Sequence, residues 1–161
     1  MEQLLKPKIT LVFGRICSGK GSYIKDHPYR VVVSDVVKGI INTASRDALQ
    51  NTLHLDNRIA EALLRIIVAL SKREDHVLVD GIRQVTIVDM ILQFFPDAEM
   101  IWLEVPVDER KRRYENRRDI KDVEPFEIAD NKQIELECQK IFDTFRNKLT
   151  IINNYGINQE S

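Results

Sequence analysis

Gly14-Arg15-Ile16-Cys17-Ser18-Gly19-Lys20-Gly21-Ser22 is the stretch on which the reading of this chain turns. It fits G-x-x-x-x-G-K, with the expected hydroxyl delayed by one glycine to Ser22. A β-branched apolar run, Lys8 to Phe13 (KITLVF), precedes it, and a short helix from about Lys20, ending before His27-Pro28, follows. Strand, glycine-rich loop and helix in that order make a cradle for phosphate. Successive backbone N–H groups turn inward, and the helix N-terminus adds positive potential. All nine residues are therefore expected to hold ATP. Lys20 would bridge its β- and γ-phosphates, and Ser22 would help hold a magnesium ion. Cys17 reads as a small side chain that fits a tight loop, ahead of a reactive thiol beside a helix N-terminus.

Outward from this loop, strands and helices alternate. Arg30 to Val33 (RVVV) reads as a second buried strand, with Asp35 placed to cap the helix after it. Asp56 caps the clearest helix, whose Ile59, Leu63, Ile66, Ile67 and Leu70 share one face. His76 to Val79 is a third strand ending at Asp80-Gly81, and Thr86 to Phe95 is helical up to Pro96. Glu99 to Val105 is a fourth strand, and Asp108 starts a very basic helix. Glu124 to Lys148 carries one or two helices, and Leu149 to Ile152 a fifth strand. Continuous apolar strands separated by helices predict a parallel sheet covered on both faces, an α/β domain over residues 1–161. Arg117 to Pro125, the most irregular and polar stretch, is a candidate mobile loop.

Bulk composition narrows the function classes. A formal net charge of -1 gives no global sign of a nucleic-acid or anionic-membrane partner, although local basic clusters could still supply one. The two cysteines, Cys17 and Cys138, have no metal-ligand spacing and point to a reducing compartment. No stretch approaches a membrane span, and MEQLLKPK lacks the apolar run of a signal peptide. A cytoplasmic protein is expected, in the host cytoplasm if the source is viral. His27, His54 and His76 are scattered and read as surface or strand-start residues, and Trp102 as core.

The chemistry gathers at strand ends, because ligands of doubly wound sheets sit beyond the carboxyl ends of the strands. Asp80 closes an apolar strand and is expected near the magnesium ion. Asp35 could act as general base on an acceptor hydroxyl, orient the acceptor, or help organise the metal. Arg46 and Gln50 lie i and i+4 on one helical face and could meet an acceptor base. After the fourth strand, Arg110, Arg113 and Arg117 share a helical face, and guanidinium groups stabilise the charge that spreads over a transferring phosphoryl group. The six cations between Arg110 and Arg118 could also grip a nucleic-acid backbone, but Asp119, Asp122 and Glu124 interrupt that track.

These residues resemble a known group. The G-x-x-x-x-G-K-G-[ST] form looks like the phosphate loop of adenylate kinase and related nucleoside monophosphate kinases. Ser34-Asp35-Val36-Val37-Lys38 resembles their acceptor-side S/T-G-D-x-x-R, shortened and with Lys38 for the arginine. Asp80-Gly81-Ile82-Arg83 is similar to their D-G-x-(P)-R, where the arginine contacts the acceptor nucleotide. Arg46-Asp47-Ala48-Leu49-Gln50 is similar to the R-x-x-L-Q segment of phage-type deoxynucleoside monophosphate kinases. Thr150 to Gly156 (TIINNYG) resembles the late strand and N-x-G loop of dephospho-coenzyme A kinase, which lies near the adenine and implies a nucleotide contact for Asn153.

The resemblance implies a three-layer P-loop kinase fold: a five-stranded parallel sheet of order 2-3-1-4-5, with an arginine-rich lid over about 113–131. Arg113, Arg117 and Arg118 are then the lid arginines, with Arg113 and Arg117 catalytic. Two departures stand out: the glycine before Asp35 is missing, and the last helix after Gly156 is absent or reduced to a few residues. Asp35 directly after the second strand equally resembles polynucleotide kinases and dephospho-coenzyme A kinase, which phosphorylate a hydroxyl. A hydroxyl needs a general base; an ionised phosphate acceptor does not. The expected reaction is ATP- and magnesium-dependent phosphoryl transfer to a nucleotide-class acceptor, with a (deoxy)nucleoside monophosphate slightly favoured. The alternative is a phage-type DNA kinase acting on a hydroxyl such as that of 5-hydroxymethyluracil in DNA, with Asp35 as base. A nucleotide-binding switch without acceptor is disfavoured by Arg83 and by the lack of an evident water-activating Gln or Glu.

Overall fold

The computed structural model describes residues 7–41, 55–117 and 124–155. Its strands are β1 (Lys8–Phe13), β2 (Arg30–Val32), β3 (His76–Asp80), β4 (Glu99–Glu104) and β5 (Leu149–Asn153). The helices between them are α1 (Lys20–Ile24), α2 (Val33–Ile41), α3 (Asp56–Ser71), α4 (Val85–Phe94), α5 (Val107–Arg117), α6 (Phe126–Asp130) and α7 (Gln133–Phe145). The strands form one sheet of order β2-β3-β1-β4-β5, and every neighbouring pair is parallel. Both the α/β class and the strand order are as expected.

The apolar runs explain the layers. β1 lies at the centre of the sheet, and its side chains alternate between two buried faces. Leu11 and Phe13 join Val79, Met100 and Trp102 under residues of α2, α3, α4 and α7. Val12 turns the other way and packs with Leu78, Ile101 and Leu103 against Ile24 of α1. Leu11 and Val12 are both fully buried, so the strand that feeds the phosphate loop is anchored on either side.

Helix starts differ from the reading of the sequence. β2 ends at Val32 and α2 begins at Val33, so Asp35 lies inside the first turn and is not the cap. Asp56 is the first residue of α3 and also makes no cap hydrogen bond. Its Oδ2 instead accepts the Thr86 hydroxyl at 2.5 Å and ties α3 to the start of α4. The basic helix begins at Val107, one residue before Asp108, and 124–148 divides into α6 and α7. Of the candidate mobile loop, 118–123 lie outside the described residues. Among the described residues, no helix is long and apolar enough to cross a membrane.

Candidate active site

The loop from Gly14 to Ser22 leaves the carboxyl end of β1 and enters α1. Gly19 has a left-handed backbone (φ 87), and a side chain there would meet Nδ2 of Asn154 at 2.5 Å. Both the torsion and the close approach select glycine. Cys17 also has positive φ (61), uncommon for a residue with a β-carbon and a mark of a tightly held loop. The Lys20 ammonium folds back over the loop, donating to the carbonyl of Gly14 at 2.9 Å, with the Arg15 carbonyl at 3.4 Å and Ser18 Oγ at 3.5 Å. Burial lowers its pKa to about 8, and the nearby Arg83 guanidinium pushes the same way. Cys138, Asp80 and Cys17 pull it back up.

Asp80 ends β3 beside Val12 of β1, so the sheet register itself sets the carboxylate next to the loop. Asp80 is buried, and its Oδ1 has no hydrogen-bond partner among the described residues. Burial raises its pKa, while Lys20 and Arg83 oppose the shift. A buried carboxylate oxygen without a partner is costly unless a cation or its water shell completes it. The donor set therefore fits magnesium: Asp80 and the exposed Ser22 hydroxyl from the protein, with phosphate oxygens and water for the rest. Among the described residues there is no cluster of three or more His, Cys, Asp or Glu that could hold a metal by itself.

Gly81 turns the chain after Asp80 with φ 99, and Val33 at the β2–α2 junction packs against it. Asp35, two residues on, is therefore close to the same end of the sheet. Its side chain is 73% exposed and lies 3.8 Å from Lys38 Nζ. Arg83 does not reach outward. Its guanidinium pairs with the carboxylate of Glu135, a side chain only 2% exposed.

Behind the loop, α6 and α7 provide two buried carboxylates that sequence reasoning missed. Glu135 Oε1 accepts the backbone N–H of Ile16 at 2.6 Å and lies 3.7 Å from Arg15 Nε. Asp130 accepts from Arg15 at 2.9 Å and from both terminal nitrogens of Arg110 at 2.6 and 3.3 Å. Arg110 also donates to the Ile16 carbonyl and is itself buried, a brace for the loop from below. One signal was available: Glu135 shares the buried face of its helix with Cys138, Ile141 and Phe145. A carboxylate on an apolar face is rarely buried unless it is paired.

The basic helix divides its arginines. Arg113 is half-buried and donates to the carbonyls of Cys17 (3.3 Å) and Asn154 (2.8 Å) and to Glu109 (3.1 Å), which draws it over the phosphate loop. Arg117 is exposed and stacks its guanidinium over Tyr114 at 5.3 Å. Asn153, at the end of β5, is exposed and pairs in register with Glu104. It is the next residue, Asn154, that reaches the loop, donating from Nδ2 to the Ser18 carbonyl at 2.8 Å. Arg46, Gln50, Arg118, His54 and Gly156 lie outside the described residues.

No protein-family model and no curated protein matches the chain. Solved structures do. A chain in the structure of the Pnkp1/Rnl/Hen1 RNA repair complex aligns over 91% of this chain with a TM-score of 0.63 and 18% identity. The alignment covers 47% of that chain, so the present chain spans about half its length. Shikimate kinase from Aquifex aeolicus vf5 aligns over 94% of this chain and 89% of its own, with a TM-score of 0.51 and 14% identity. At such identities the likeness is one of fold, and the fold is that of the P-loop kinases.

Proposed function

We propose that this chain is an ATP- and magnesium-dependent kinase that transfers the γ-phosphoryl group to a hydroxyl of a nucleotide-class acceptor, with a modified base in nucleic acid as the first candidate. The observation that carries the choice of a hydroxyl is the pairing of Arg83 with buried Glu135. An arginine so held offers little to an acceptor phosphate. Among the described residues the acceptor side presents Asp35 and Lys38, and the exposed carboxylate of Asp35 repels a phosphate but accepts a proton from a hydroxyl. The described residues belong to one kinase domain in this reading.

Each residue then has a task. The loop amides and Lys20 hold the β- and γ-phosphates, and the half-buried, poorly hydrated ammonium gains most when those anions arrive. Ser22 and Asp80 would hold magnesium, which supplies charge neutralisation at the phosphate oxygens. Asp35 takes the proton of the acceptor hydroxyl. The new oxygen–phosphorus bond forms as the bond from the γ-phosphorus to the β–γ bridging oxygen breaks, and ADP leaves. Arg113, already above the loop, would turn its guanidinium to the transferring group.

The deciding assay incubates the protein with γ-labelled ATP and magnesium against 5-hydroxymethyluracil-containing DNA, unmodified DNA and free nucleoside monophosphates. Label is expected in the modified polymer. Label confined to nucleoside diphosphate would overturn the hydroxyl reading in favour of a monophosphate acceptor. Asp35→Asn should lower turnover by about 10²- to 10⁴-fold while MgATP still binds. A variant that keeps full activity would remove Asp35 from the role of base.

A further inference from the structure

The phosphate loop and the Asp80–Arg83 turn are far apart in sequence, yet one buried carboxylate touches both. Glu135 lies in the first turn of α7 and is 2% exposed. One of its oxygens accepts the Ile16 amide at 2.6 Å, and the other meets the guanidinium of Arg83. Three residues further along α7, the thiol of Cys138 donates to the Gly14 carbonyl at 3.6 Å, so the same helix grips the loop at a second point. A glutamate buried this deeply is retained at a desolvation cost that an apolar residue would not carry. Its two partners are the structural elements that deliver Lys20 and Asp80.

We infer that Glu135 is a positioning residue that locks the phosphate loop to the turn after β3, holding Lys20 and Asp80 at a fixed separation for magnesium-bound nucleotide. The inference rests on the kinase reading but assigns a residue and a coupling that this reading does not need. Released from Glu135, Arg83 would be an uncompensated cation beside Lys20, among Asp80, Cys17 and Cys138, the other groups that face the ammonium.

The test is a double-mutant cycle on MgATP binding, followed by calorimetry with Glu135→Gln, Arg83→Gln and the pair together. The glutamine keeps an acceptor for the Ile16 amide and removes only the charge. Each single change should weaken binding about tenfold, the scale of a lost supporting interaction behind a ligand-binding group. The double variant should be no weaker than either single one, because both remove the same lock. The coupling between the two changes is the readout that general loosening would not move, since independent losses add. Wild-type binding matched by Glu135→Gln would overturn the inference and leave the kinase reading intact, as would a hundredfold additive loss in the double variant. If Glu135→Gln does not fold, Arg83→Gln decides alone, and unchanged binding there overturns the lock. Wild-type protein that binds no MgATP would overturn the kinase reading and this inference with it.

Discussion

At the amino ends of β1, β3 and β4, polar side chains form a closed chain; at the carboxyl ends of the same strands, they stand incomplete. In the closed chain, the Tyr29 amide donates to His27 Nδ1, and His27 and His76 share a hydrogen bond at 3.2 Å. His76 Nε2 meets the Thr10 hydroxyl at 2.8 Å, and that hydroxyl donates to Glu99 at 3.2 Å. Every step has a donor and an acceptor. At the other end, Lys20 is desolvated over carbonyls of its own loop, and Asp80 keeps a buried oxygen without a partner among the described residues. One sheet thus separates a satisfied end from an incomplete one. Groups held in unfavourable ionisation by burial mark where a ligand supplies the missing partner.

The largest effect should come from Lys20→Met. Loss of the ammonium should reduce phosphoryl transfer by about 10²- to 10³-fold, as for a removed electrostatic stabiliser of the transition state. Stability should respond in the opposite sense. The folded pKa of about 8 lies below the ordinary 10.5, so between those values the unfolded chain binds a proton that the folded chain does not. Wild-type stability therefore rises with pH across that window, and below about pH 8 the charged lysine costs stability. The methionine variant should melt no lower than wild type at pH 7. A marked drop in melting temperature would show that Lys20 is satisfied within the free protein, and the contrast between the ends would fail. For the same reason MgATP affinity should decline as pH rises through about 8.

Asp80→Asn comes next. The raised pKa means that the folded state holds a proton more tightly than the unfolded one. The stability linked to that proton is complete below the ordinary value of 3.8 and is lost as pH rises through the folded value. At pH 7 the ionised form is the costly one, so asparagine should melt at or above wild type. Its dependence on magnesium should be weaker, with turnover down about 10- to 100-fold. A lower melting temperature together with unchanged turnover would place Asp80 among the structural residues.

How much of this was legible in the sequence depended on distance along the chain. The phosphate loop is local, and its glycine spacing is dictated by backbone geometry within nine residues, so it could be read directly. Strand order came from resemblance, because apolar runs fix that strands are buried but not which neighbours they choose. Groups paired across long separations stayed hidden. Ile16 and Glu135 are 119 apart, Arg15 and Asp130 115 apart, and His27 and His76 49 apart. Helical spacing puts Arg110, Arg113 and Arg117 on one face, but α5 buries Arg110 against Asp130 and leaves Arg113 to the loop. The i, i+3, i+7 rule names a face and not its depth. Asn153 and Asn154 differ by one position, and a strand reverses its facing at each residue. The resemblance points to Asn153, whereas it is Asn154, just past the end of β5, that touches Ser18.

The smallest expected effect tests the satisfied end. The hydrogen bond from the Tyr29 amide makes His27 Nδ1 the acceptor, so the proton of His27 sits on Nε2 and points to His76 Nδ1. That leaves His76 donating from Nε2 to Thr10, whose own proton goes to Glu99. His76 is neutral in this arrangement, and protonating its Nδ1 sets that N–H against the N–H of His27. Burial lowers the His76 pKa, with His27 and Lys8 adding to the shift and Glu99 opposing it. A folded value below the ordinary 6.5 means that the unfolded chain takes up the proton first as pH falls. Stability from this chain is complete above 6.5 and declines as pH drops below it. Thr10→Val removes both the acceptor for His76 and the donor to Glu99 with little change in shape, and should cost about 1–2 kcal/mol. It should leave MgATP affinity within about twofold of wild type, since sites this far apart seldom couple strongly. Melting curves between pH 7.5 and 5.5, read beside MgATP titrations of the same samples, check both halves. A Thr10→Val protein that melts like wild type but binds nucleotide poorly would invert the assignment of the two ends.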